Sequence, residues 1–158
     1  MQTYCLLGYE RKRIGGAYRR ILAMDIPRDN NKEDCEQRKE IISQVYRKWT
    51  VDHPEKRVYN DSLKGYIHIR YLSITETIRH ASKSYESTYA VLSLDKILRN
   101  AVMIGKPRPV KKRVKNQKPF SRMIELRCEI TGIGIVKMMV GIKRTGEMIQ
   151  YCITAKRT

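Results

Sequence analysis

Acidic residues are scarce in this 158-residue chain: 16 Asp and Glu stand against 33 Lys and Arg, for a formal charge of +17. A surplus of that size excludes an electrostatically indifferent surface and draws polyanions, with nucleic acid ahead of anionic membrane or an acidic protein. Long apolar runs are missing too. None approaches the roughly 18 residues that cross a bilayer, and the opening MQTYCLLGYERKR carries no secretory apolar region. The expectation is a soluble, cytoplasmic protein with no membrane partner. Cysteine is sparse and scattered: Cys5, Cys35, Cys128 and Cys152 form no CxxC pair, which argues against a zinc site and a compact disulfide framework. Reduced, mostly buried thiols are expected instead. Absent as well are a carboxylate cluster suited to a metal-dependent nuclease, a GxxxxGK loop, a GxGxxG turn and a nucleophile elbow. Nucleotide hydrolysis and acyl transfer therefore drop out, and neither metal nor cofactor is expected.

What is present is enough chain for one core, without repeats or low-complexity tracts. Residues 3 to 26 hold two short apolar runs around Gly15-Gly16, which fits a hairpin. Asn31 is placed to cap a helix over 32–49, where Cys35, Arg38, Ile41, Ile42, Val45, Tyr46 and Trp49 recur at three- and four-residue spacing. His53-Pro54 closes it, because a residue before proline is pushed out of the helical region. RVYNDSLKGYIHIRYLSI then reads as strand, turn, strand, with Asn60-Asp61 and Gly65 at the turn. Ser73 and Glu76 have capping-box spacing for a helix to about Ser84, and a second short helix follows Ser93 with Leu94, Ile97, Leu98 and Ala101 as its stripe.

The last third alternates. Ile124, Leu126, Cys128 and Ile130 are apolar between Glu125, Arg127 and Glu129, the pattern of a half-buried strand. Turns at Thr131-Gly132 and Lys143 to Gly146 then predict a three-stranded antiparallel meander. Alternation places Ile149, Tyr151, Ile153 and Ala155 on one face and Gln150, Cys152 and Thr154 on the other, so Tyr151 and Thr154 point opposite ways unless a bulge intervenes.

Chemistry is suggested at two places. The stretch 105–122 carries eight cations, Lys106, Arg108, Lys111, Lys112, Arg113, Lys115, Lys118 and Arg122, and no acid. Pro107, Pro109 and Pro119 make it read as an extended, mobile loop. Such a run suits phosphates, whose neutralisation releases counterions and gives salt-dependent affinity; the plainer alternative is a solvated loop. The other place is IRHASKS. On a helix, Glu76 lies one turn before His80 and can orient its ring, while Arg79 and Lys83 stand ready for a phosphate. A histidine titrating near neutrality is a natural acid or base for a 2′-hydroxyl or a leaving 5′-oxygen; the plainer alternative is a surface ion pair.

The order of elements in VYNDSLKGYIHIRYLSITETIRHASKS, LDKILRNAVMIGK, RMIELRCEITGIGIVKMMVGIK and MIQYCITAKR resembles small domains of phage and mobile-element polyvalent proteins and MuF-type toxins. Those domains are similar to the barnase, EndoU, colicin and RelE-like ribonuclease superfamily. The resemblance implies an α+β fold in which N-terminal helices precede a bent antiparallel sheet. It divides the chain into an N-terminal extension over 1–55 and a ribonuclease-like domain over 56–158, with the basic loop at 105–122. It also implies a metal-independent site with His80 from the helices and Thr154, Arg127, Lys143 and Tyr151 from the sheet. The chain departs from the two-histidine EndoU pattern, since no second histidine is placed beside His80, which leaves more of the work to Lys or Arg.

Three functions fit these readings. The first is a metal-independent endoribonuclease, toxin-like or phage-associated. The second is a non-catalytic module binding nucleic acid or ribonucleoprotein. The third is a mobile-element accessory or anti-defence protein that binds an acidic partner. RNA is the expected partner, with a protein inhibitor or host protein as the other class.

Overall fold

The computed structural model describes residues 13–14, 17–18 and 21–157. Strands β1 (Arg13–Ile14) and β2 (Ala17–Tyr18) pair antiparallel across Gly15-Gly16, as a hairpin requires; the remainder of that stretch up to residue 20 lies outside the described residues. Helix α1 (Lys32–Asp52) starts where its cap predicts, with the Asn31 Oδ1 accepting from the Asp34 N–H at 2.8 Å. It ends at His53, whose ring stacks on Trp49.

Two strands, β3 (Arg57–Asn60) and β4 (Gly65–His68), form the next hairpin. Its turn depends on Asn60 more than on glycine: the buried Asn60 amide donates to the carbonyls of Leu98 and Ala101, and its oxygen accepts from Leu63 N–H. The left-handed backbone position is taken by Lys64.

Helix α2 spans Tyr71–Ala81 and corrects the capping-box expectation. The helix begins two residues earlier than Ser73, and the Ser73 hydroxyl accepts from the Arg70 N–H at 3.0 Å from inside the first turn. Glu76 consequently lies in mid-helix and is buried. Beyond it, α3 (Tyr85–Val91) was not anticipated, although Ser84 caps it through the Ser87 N–H. Helix α4 (Leu94–Asn100) follows Ser93 as expected and buries Leu94, Ile97 and Leu98.

The sheet expected to have three strands has six, in the order β3-β4-β8-β7-β6-β5. Its members are β5 (Val102–Pro109), β6 (Phe120–Ile130), β7 (Gly134–Lys143) and β8 (Met148–Arg157), besides the hairpin. β4 joins β8 in parallel through Ile67 and His68, which makes the sheet mixed. The mobile-loop reading of 105–122 fails for its first part: through Pro109 the chain is an edge strand on β6. Prolines are tolerated there because an edge strand has one side free of ladder bonds. The irregularity between Ile104 and Arg108 contains Gly105 at φ 71°.

One main core joins Ile42, Tyr46 and Trp49 of α1 to Val58, Ile67, Leu98, Leu126, Met138 and Ile153. Residues before 55 therefore share a core with the sheet. Within it, Tyr46 donates to the Gln150 side chain, which donates in turn to the Thr77 hydroxyl at 2.9 Å, and Tyr46 and Thr77 oxygens are 3.0 Å apart. All three side chains are fully buried. Tyr46→Phe should cost about 1–3 kcal/mol by stranding a buried acceptor, read as a lower urea midpoint with an unchanged slope.

A second, smaller cluster of Phe120, Met123, Ile149, Tyr151 and Cys152 gathers Leu72, Val110 and Met139. Gly141 makes room for it, since a Cβ there would stand 2.6 Å from the Phe120 ring.

Candidate functional site

The two faces of β8 do not follow simple alternation. Val140 pairs with Gln150 and Met139 with Cys152, so Tyr151 is the extra residue of a β-bulge. Gln150 thereby turns to the main core with Ile153, while Ile149, Tyr151 and Cys152 belong to the smaller cluster. The expected grouping of Gln150 with Cys152 is corrected by that one inserted residue.

α2 packs along β8 and presents Glu76 to this bulge. Its carboxylate is 2 % exposed. One oxygen accepts from the Asn116 amide of the 110–119 connection at 2.6 Å. The other, Oε1, has no hydrogen-bond partner, and lies 3.5 Å from His80 Nε2 and 3.6 Å from the Arg79 guanidinium. Tyr151 is also close: burial first, then the Glu76 charge, pushes its hydroxyl up to about 12. Burial likewise pushes the Cys152 thiol up to about 12, which keeps it protonated and unreactive. His80 itself is held below its ordinary 6.5 by burial and by Arg79, with Glu76 opposing and Lys83 adding to the lowering.

The remaining sheet candidates lie elsewhere on the same outer face. Arg127 pairs with Lys137, and Lys137 with Thr154, giving a row across β6, β7 and β8. Arg127 is engaged by Glu125 at 2.6 Å, and Arg108 grips the other Glu125 oxygen at 2.8 Å. Burial alone would disfavour the Glu125 charge; the Arg127 bond and the charges of Arg127, Lys137 and Arg108 outweigh it and hold the group below its ordinary value. Lys143 is 3.8 Å from Glu147, which also takes Arg70 at 2.8 Å. Arg70 precedes α2 and His80 sits in its last turn, so Lys143 and His80 belong to opposite ends of a helix about 15 Å long. Among the described residues no hydrogen bond or ion pair joins His80 to Lys143, Thr154 or Arg127.

The basic run divides in two. Lys106 and Arg108 are on β5. Lys111, Lys112, Arg113, Lys115 and Lys118 project from the connection and Arg122 from early β6, all exposed. That connection is tied down by Gln117, which accepts from the Lys111 N–H at 2.8 Å, and by Asn116 on Glu76. Arg79 and Lys83 are exposed beside His80. Sequence reasoning missed Asn116, Gln117 and Lys137; the first two look like ordinary loop amides, and Lys137 declares itself only through its register with Thr154.

Among the described residues, no three His, Cys, Asp or Glu side chains gather as a metal site, and no helix is long and apolar enough to cross a membrane. The family model described as large polyvalent protein-associated domain 3 matches residues 37–145. No curated protein and no solved structure matches the chain.

Proposed function

The chain belongs to the large polyvalent protein-associated domain 3 family, and within it we propose a metal-independent endoribonuclease, phage-associated or toxin-like, on a barnase-, EndoU- or RelE-like scaffold. One observation carries this reading: a histidine one-third exposed, one helical turn from a buried carboxylate, with Arg79 and Lys83 beside it. The carboxylate faces Nε2 and orients the ring, which leaves Nδ1 for substrate. His80 then takes the proton of a 2′-hydroxyl as that oxygen attacks phosphorus. The P–O5′ bond breaks, Lys83 or water returns a proton to the 5′-oxygen, and a 2′,3′-cyclic phosphate remains. Arg79 offsets the charge that builds on the phosphoryl oxygens.

In this reading Thr154, Lys137 and Arg127 line the path of the RNA across the sheet, and Lys143 takes a flanking phosphate. Tyr151, 4 % exposed, is a positioning residue for Glu76. The exposed cations of the connection add sequence-independent affinity. Purified protein with excess chelator should cleave single-stranded RNA and leave 2′,3′-cyclic phosphate ends. Intact RNA after hours of incubation would remove the enzyme.

A second reading, a binding module without catalysis, is favoured by the engagement of both Arg108 and Arg127 with Glu125 and by the separation of Lys143 from His80. Salt-dependent RNA binding without cleavage would select it.

A further inference from the structure

We infer that the β3–β4 hairpin carries a base-stacking subsite for single-stranded nucleic acid, built from Tyr59, Tyr66 and Arg57. The inference rests on the nucleic-acid reading above but not on cleavage.

The hairpin alternates. Val58 and Ile67, which are paired partners, enter the core. Tyr59 and Tyr66, also paired, therefore emerge on the opposite face. Each residue remains 44 % exposed. They meet edge to face, with centroids 5.5 Å apart at 81°, and the Arg57 guanidinium carbon stands 4.0 Å from the Tyr66 centroid. An exposed ring pair topped by a planar cation costs a solvated surface something and contributes nothing to the core. What it offers is a set of π faces of the size of a nucleobase, and stacking of bases on tyrosine rings and guanidinium planes is how proteins hold unpaired strands.

Two further facts point to this ligand. The platform is rigid: Asn60 fastens the hairpin to α4, and the Ile69 N–H donates to the Lys56 carbonyl at 2.9 Å. A preorganised surface loses little entropy when a base settles on it. The hairpin and its flanks are also cationic in sequence, with Lys56 and Lys64 exposed alongside Arg57, and Arg70 exposed but held by Glu147 at 2.8 Å. The acids of this region are Glu55, 3.5 Å from Arg57, Asp61 in the hairpin turn, and Glu147, 3.9 Å from His68. On the same side of the sheet His68 pairs with Ile149 of the smaller cluster, which contains Tyr151 at the Glu76 bulge.

The test is a titration of a fluorescein-labelled 2′-O-methyl oligouridylate 12-mer, which cannot be cleaved through its 2′-oxygens, by the full chain at several salt concentrations. Tyr59→Ala with Tyr66→Ala should weaken binding about 10- to 100-fold, leave the salt slope unchanged and leave affinity for a duplex of equal length unaltered. Tyr59→Phe with Tyr66→Phe should bind like the parent, because the ring faces are kept. The melting temperature of the alanine pair should match the parent's, since neither ring enters the main core. Parental affinity in the alanine pair, equal losses in the alanine and phenylalanine pairs, or no binding of the oligomer by the parent would each overturn the subsite. Tyrosine-dependent binding by a protein that leaves RNA intact would keep the subsite and remove the nuclease.

Discussion

His80→Ala is expected to slow RNA cleavage by about 10²-fold or more while leaving the fold in place. The side chain is one-third exposed, and among the described residues its polar partners are Glu76 and Arg79, so its removal is not a deletion from the main core. The pH profile separates a chemical role from a binding one. Burial and Arg79 lower the His80 pKa beneath 6.5, so the ring sheds its proton at a lower pH than a free histidine and is a neutral base at pH 7. The acid limb of the parent's rate should therefore bend below pH 6.5, and it should vanish in His80→Ala. An unchanged rate, or an acid limb that survives the substitution unmoved, removes His80 from the chemistry. A melting temperature near the parent's guards against mistaking unfolding for lost catalysis.

The second large effect concerns stability. Arg38 on α1 is 1 % exposed, and its guanidinium donates to the carbonyls of Ser82 at 2.7 Å, Pro27 at 3.0 Å and Asp29 at 2.8 Å. Arg38→Ala should cost about 3–5 kcal/mol, because it deletes three charge-assisted bonds, leaving the buried Ser82 carbonyl without a donor and breaking the part-buried bonds to Pro27 and Asp29. Against a typical total of about 5–15 kcal/mol, that is a substantial fraction of the protein's stability. Arg38→Lys keeps the charge but not the fork, and should recover less than half of the loss. Urea unfolding of the three proteins measures the difference; equal midpoints would show that the carbonyls find other donors. Ser82 lies two residues beyond His80, so the same arginine also fixes the end of the helix that presents the histidine.

Much of this architecture was legible in the chain, and the misses share a physical cause. α1 announced itself through its cap and stripe, and β6 through alternation, because each signal is local and repeats over many residues. α3 is only seven residues long. Its Ser87 takes the place of a missing strand neighbour by accepting from the Ala155 N–H at 2.8 Å, a partnership across 68 positions that no window contains. The edge strand β5 was hidden by Pro107 and Pro109, whose cost depends on which side of the strand is paired. At the site, Glu76 and His80 were visible as helical neighbours. The burial of Glu76 and its contact with Asn116 were not, since both depend on where α2 begins and on how the connection folds back. The bulge at Tyr151 likewise follows from the register of β7 against β8.

Ser62, in the β3–β4 turn, accepts the Met103 N–H of β5 at 2.9 Å, so the two ends of a six-stranded sheet meet. One border strand is thereby covered at its start, and farther along it carries Gly105, Pro107 and Pro109 among lysine and arginine. The other border is held against α4 through Asn60. A sheet with two nominal borders thus offers little free ladder to a passing chain. This closure is a defence against edge-to-edge aggregation as much as a matter of shape.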